Sequence, residues 1–315
     1  MALKIVIGDV TIGVQGEDFS YLFSMATGGL ESLQCKGKEW LYRTPKPTFW
    51  RAATDNDRGN GFAYESAAWM AADSYIRCKS VTAQMDGKEI VLPAAPANNG
   101  YTGEETCGEI RLVYTLETAT MPRTQVQIAY QVTENGRIHV QVHYYGKEGL
   151  PQLPVFGMRF IMPTTADKFC YEGLSGETYP DRMAGGIPGV YEVEGLPVTP
   201  YLVPQDCGVH MDTRWLTIYR SSVLDNRTRE KKQTALHFVA EEGKNFAFSC
   251  LPYTALELEN ATHQEELPPA RRTVVSILGA VRGVGGIDSW GADVEPAYHI
   301  SAGEDIEYGF FIDKL

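Results

Sequence analysis

Three rows of alternating apolar residues constrain this chain more than any other feature. Ile110, Leu112, Tyr114 and Leu116 alternate with polar or smaller residues. Val126, Ile128, Tyr130 and Val132 do so again, and Ile138, Val140, Val142 and Tyr144 make a third row. Successive side chains of a strand point to opposite faces, so a period of two gives each segment one dry face and one wet face. Asn135-Gly136 separates the second and third rows, and this dipeptide accepts the positive backbone angles of a tight hairpin. The segment must form antiparallel sheet with one buried side.

The rest of the chain reads in the same style. Residues 3–7, 10–14, 19–23 and 39–42 are short strands, with Gly8-Asp9 as the first turn. Residues 155–162, 216–219, 235–240, 246–250, 273–278 and 306–312 add further strands. Residues 45–61 are too rich in turn formers and charge for a strand, and residues 171–210 read as ordered loops punctuated by Gly and Pro. Two helices are expected. One covers the alanine-rich stretch 64–72, and the other starts on the Thr254/Glu257 capping box and runs to Ala261. More than about ten strands with so little helix make an all-β protein, a large antiparallel sandwich. No linker or internal repeat divides it, so a single domain over residues 1–315 is the expectation.

Charge and cysteine usage exclude several functions. The net charge of −12 argues against nucleic acid, because a phosphate backbone needs a basic face. Arg229-Glu230-Lys231-Lys232, the nearest approach to a basic cluster, reads as a solvated loop. The six cysteines contain no C-x-x-C pair and read as free thiols. The N-terminus has no apolar stretch after a basic start, and no run of about 18 apolar residues occurs, so neither export nor a membrane span is expected. The expected compartment is the cytoplasm, where the sequons Asn226-Arg227-Thr228 and Asn260-Ala261-Thr262 have no meaning.

Candidate chemistry is sparse. Asp55-Asn56-Asp57-Arg58-Gly59-Asn60-Gly61 resembles a calcium loop, but Asn60 stands where the turn glycine belongs and Ser66 where a bidentate Glu is required. An Asx-rich turn, with its carboxylates capping amides or pairing with Arg51 or Arg58, is the simpler reading. Glu172, Glu177 and Asp181 lie close in sequence, yet sequence proximity does not oppose two carboxylates across a bond, and Arg182 beside Asp181 suggests an ion pair. His139 and His143 share a strand face without a third ligand. His299, the histidine nearest the C-terminal glycine loop, has no acid/base partner in sequence. Ser175 fails G-x-S-x-G, and Gly283 to Gly286 fail G-x-G-x-x-G. The stretch Arg282-Gly283-Val284-Gly285-Gly286-Ile287-Asp288-Ser289-Trp290-Gly291-Ala292-Asp293 remains. It leaves an apolar strand through four glycines and carries an indole that is either plugged into a core or offered to a ligand.

Four motifs together resemble the C-terminal domain of the large family-two β-galactosidases. They are Phe49-Trp50-Arg51-Ala52-Ala53-Thr54-Asp55-Asn56-Asp57-Arg58-Gly59, Gly176-Glu177-Thr178-Tyr179-Pro180-Asp181-Arg182, Thr199-Pro200-Tyr201-Leu202-Val203-Pro204-Gln205, and Gly283-Val284-Gly285-Gly286-Ile287-Asp288-Ser289-Trp290. Ala53 departs from the proline that many members carry, which affects loop stiffness only. The resemblance covers essentially the whole chain and looks like the separately encoded small subunit of two-chain β-galactosidases from lactic-acid bacteria.

That resemblance implies a galactose-mutarotase-like antiparallel supersandwich with one or two short helices. It implies no catalytic residue, metal or cofactor in this chain. The catalytic glutamates, magnesium and sodium are expected in a large-subunit partner that hydrolyses β-galactosides such as lactose, in a heterodimer or higher assembly. Trp290 matches the family tryptophan that stacks on sugar, with Gly285, Gly286, Asp288 and Ser289 as loop support. Two alternatives remain open at this point: a stand-alone aldose mutarotase, for which no facing His and Glu can be picked out, and a carbohydrate-binding module.

Overall fold

A computed structural model describes residues 2–93, 100–224 and 232–314. The sequon at Asn226 and the basic stretch from Arg229 to Lys231 lie outside them. Among the described residues the strands form three antiparallel sheets, of six, ten and five strands.

The three alternating rows lie side by side in the ten-stranded sheet. Leu112 pairs with Tyr130 and Tyr130 with Val140, and all twelve apolar residues of the rows are buried. The period of two thus turned one whole face inward, as it must once any one register is set. Gly136 closes the hairpin at φ +83°. This inner face carries the other two sheets. Tyr130 meets Phe23 of the six-stranded sheet at 5.5 Å between ring centroids, and Phe238 meets Phe160 of the five-stranded sheet at 5.3 Å. One apolar cluster runs continuously from Leu3 to Ile312.

Helical structure departs from the expectation in number and place. Among the described residues there are three short α-helices, α1 (Asp55–Asn60), α2 (Phe62–Glu65) and α3 (Ala255–Asn260), and three single 3₁₀ turns. α3 starts on the expected capping box of Thr254 with Glu257. The stretch expected as one helix over 64–72 is instead the end of α2, a break at Ser66 and a 3₁₀ turn at Ala67–Trp69. Ser66 turns its buried hydroxyl back to the Phe62 carbonyl at 2.7 Å, and Trp69 swings into the core, where its indole N–H donates to the Pro151 carbonyl at 2.9 Å. Burial of that indole outweighs the alanine propensity.

Three strand expectations also change. Residues 45–61 are expected to hold no strand, yet Arg43–Thr48 pairs with Val155–Met162, because its prolines stand on an edge strand. Trp40, Leu41 and Tyr42 leave the sheet after Lys38–Glu39. Residues 171–210 are not all loop, because Pro188–Glu194 pairs with Lys168–Leu174 as an edge strand. One side is exposed and the other only half-buried, and the exposed Val190 interrupts an alternation that is otherwise confined to Tyr191–Glu194.

Candidate functional site

The strand Thr273–Val281 lies in the five-stranded sheet between Val155–Met162 and Phe246–Leu251. Beyond it the chain enters the glycine loop through Arg282, a fully buried guanidinium. Arg282 donates to Asp293 Oδ1 at 2.5 Å, closing the two ends of the loop on each other. It also lies over the Phe62 ring at 3.7 Å and within 3.6 Å of Asp57, a distance of ion-pair attraction without a hydrogen bond.

α1 forms the floor beneath this loop. The expected Asx-rich turn is in fact this helix: Thr54 Oγ1 accepts from the Asp57 amide at 3.1 Å and Asp57 Oδ2 accepts from the Thr54 amide at 3.0 Å. That reciprocal cap satisfies two donors that a helix start leaves orphaned, which explains a helix in so unpromising a sequence. Gly61 ends it at φ +85°. The other oxygen of Asp57 receives Arg51 at 3.1 Å, and the same Arg51 nitrogen donates to the Gly283 carbonyl at 3.0 Å. Asn56 donates to the Val284 carbonyl at 2.8 Å.

The Gly176 to Arg182 stretch grips the loop from the other side. Asp181 accepts from the Val284 amide at 3.0 Å and the Gly285 amide at 2.8 Å, while Arg182 donates to the Gly285 carbonyl. The two neighbours therefore do not spend themselves on the ion pair expected between them. They hold opposite poles of one peptide segment. Three of the loop glycines are required by geometry, one of them Gly291 at φ +88°. Gly285 and Gly286 have φ of +69° and +79°, and a Cβ on Gly286 would stand 2.8 Å from Asn56 and 2.9 Å from Arg182.

Past Gly286 the loop turns outward. Asp288 Oδ1 accepts from the amides of Trp290 at 2.9 Å and Ala292 at 3.1 Å, so it shapes the tip from within. Ser289 is exposed, and Trp290 is 92% exposed, the most exposed of the chain's large apolar side chains among the described residues. Its indole is held out on a backbone that is itself anchored. Asp293 returns the chain to the base: it accepts from Arg282, from Asn60 at 3.0 Å and from the Val294 amide at 2.8 Å. Burial alone would raise its carboxyl. Arg282, the Val294 amide and the charge of His299 offset that and hold it below the usual carboxylate range.

The other sequence candidates do not converge here. Glu172 binds Arg214 at 3.1 Å and the Trp215 indole N–H at 2.7 Å, and Glu177 accepts from Thr199 at 2.8 Å. His299 joins the loop base, 3.2 Å from Asp293, and does not reach the tip. Ser175 serves a turn, accepting from the Ile187 amide at 3.0 Å. His139 and His143 sit on the ten-stranded sheet against Glu241 and Asp305, each at 2.7 Å. Among the described residues no group of three or more His, Cys, Asp or Glu converges to hold a metal. Asn56, Asp181, Arg182, Arg282 and Asp293 were not singled out as one set in sequence, since only the fold brings their three segments together.

With this geometry in place, the comparison with known families is decisive. The pattern described as β-galactosidase small chain matches residues 15–312. The chain belongs to that family. Among its relatives is the β-galactosidase small subunit of Latilactobacillus sakei, 62% identical over 98% of this chain and 97% of its own length. The β-galactosidase of Streptococcus thermophilus is 34% identical over 99% of this chain, which spans 28% of that longer protein. A galactose mutarotase-like protein from Lactobacillus casei overlaps 97% of this chain and 100% of its own, at TM-score 0.42 and 9% identity. A likeness that low transfers no activity.

Proposed function

We propose that this chain is the non-catalytic but required small subunit of a heteromeric β-galactosidase. In this reading it completes the active site of a large subunit that hydrolyses terminal β-D-galactosides such as lactose. The large subunit supplies the two carboxylates of a retaining double displacement, together with magnesium and sodium. The observation that carries the reading is Trp290: an indole almost wholly in solvent, on a loop whose base is fixed by two buried arginines. Leaving such a ring in water stabilises nothing within the chain, whereas the apolar face of a pyranose lies flat on it. The glycines and Asp288 give the tip its shape, and hydrolysis against transfer to a second sugar depends on how the platform holds the acceptor. The cytoplasm is the proposed compartment, supported by six free cysteines. No helix among the described residues is long and apolar enough to cross a membrane.

Reconstitution tests this. The chain alone should leave a chromogenic galactoside intact, and mixing it with its large subunit should restore turnover. Hydrolysis by the isolated chain refutes the assignment.

A further inference from the structure

The outward face of the ten-stranded sheet holds a second feature, remote in the fold from the glycine loop. The strands Glu109–Glu117, Gln125–Thr133, Ile138–Tyr144 and Ile306–Lys314 lie adjacent in that sheet, and the residues alternating with their buried rows face away from the core. In the middle of this face stand two small residues, Ala129 and Gly309, each paired with Gln141. The result is a depression of about 220 Å³.

Its charges balance. Arg111 and Lys244 face Glu241 and Glu307 around the rim, two cations against two anions. A phosphate or a metal ion would need an excess of one sign, and here there is none. The lining is also set in advance. Arg111 donates to Gln141 at 2.8 Å and Gln131 at 3.4 Å, and Gln131 donates to Glu109 at 2.6 Å. Glu241 is fixed between His139 at 2.7 Å and Lys244 at 2.8 Å, and His143 lies 3.1 Å from Glu307. Burial would raise the Glu241 carboxyl, but Lys244 and His139 offset that and keep it ionised. Gly309 is what lets Glu241 lie over the sheet, since a Cβ there would run into the carboxylate.

Hydrogen-bonding capacity is left over. Gln141 spends its carbonyl oxygen on Arg111, and it lines the depression together with Gln127, whose amide no other side chain of the lining engages. Donors and acceptors in close alternation, held rigid by one another and neutral in sum, are what a neutral polyhydroxy compound requires.

We propose that this depression is a saccharide-binding site for a single neutral sugar ring, separate from Trp290. The two sites lie on different sheets, so the proposal stands apart from the subunit assignment. Ligand-observed NMR and calorimetry on the full chain, with D-galactose, D-glucose and inorganic phosphate as probes, test it. A hexose should bind, phosphate should not, and Trp290→Ala should leave the affinity within about twofold. Gln141→Ala, which removes an exposed-face amide and no core contact, should weaken binding about tenfold, or about 1.4 kcal/mol. Gly309→Ala should do the same by displacing Glu241 from the rim. Unfolding midpoints of both variants establish that they fold; if Gly309→Ala does not, Gln141→Ala decides alone. Absence of hexose binding overturns the proposal. So does preference for phosphate, loss of binding in Trp290→Ala, or indifference to Gln141→Ala.

Discussion

Arg282 and Trp290 belong to one loop and have opposite surroundings. Arg282 has no exposed surface and binds an aspartate, an aromatic ring and the core around it, whereas Trp290 is 92% in solvent and only its backbone is held. The difference separates, within a few residues, a part that holds the fold from a part that the fold leaves in solvent. At the base, buried charge is costly unless paired, so its partners fix one backbone path. At the tip, nothing within the chain rewards the indole. A segment built this way keeps its presentation whatever happens to the side chain it presents.

Substitutions along the loop test that contrast. Arg282→Ala should have the largest effect, a loss of about 3 kcal/mol, because it empties a packed site, leaves Asp293 without its cation and leaves Asp57 with Arg51 alone. Urea unfolding measures it, and a loss below about 1 kcal/mol would mean that the base is held by packing alone.

Asp206 lies just behind the base, accepting from Tyr179 at 2.9 Å. Burial raises its carboxyl from 3.8 to about 7, against the lowering effects of Arg51 and Tyr179. An acid whose pKa is raised by folding is protonated in both states below the unfolded value, and it costs stability as pH climbs from there to the folded value. Stability should therefore decline between pH 4 and 7 through this group. Asp206→Asn, which still accepts from Tyr179, should flatten the decline in thermal melts across that range; parallel curves for the two proteins would dismiss the buried carboxyl as its source.

Gly286→Ala should cost about 1–2 kcal/mol, because it forces a side chain into a left-handed conformation against Asn56 and Arg182. In the reconstituted enzyme it should also lower kcat/KM by moving the tip. Trp290→Ala should change stability least, within about 0.5 kcal/mol. Its kcat/KM should nonetheless fall about tenfold with assembly intact. Unchanged kinetics would remove the sugar platform, and a marked stability loss would show that tip and base are not separate after all.

Much of the fold was legible because strands advertise themselves locally. The rows at 110–116, 126–132 and 138–144 bury one face whatever their neighbours are, and Thr254 with Glu257 caps α3 by contacts three residues apart. Where several forces compete, the local signal failed. The alanines at 67–72 favour helix, but Trp69 gains more in the core. Asp55 to Asn60 looks like a turn until the reciprocal cap of Thr54 and Asp57 is seen to fold it into α1. The edge strand Pro188–Glu194 half-buries Tyr191 and Val193 and leaves Val190 in solvent, so its period of two is short and weak.

The sequence by itself determined the all-β class, the buried face of the central strands, the family, and Trp290 as the residue to watch. Each rests on local pattern or on a contiguous motif. Only the tertiary structure decided how that tryptophan is presented. The Arg51, Asn56 and Asp57 cluster, the Asp181–Arg182 pair and the Arg282–Asp293 closure come from segments more than a hundred residues apart, joined by single hydrogen bonds. Such contacts have no period and no fixed spacing. They exist once the sheets have brought the three segments together.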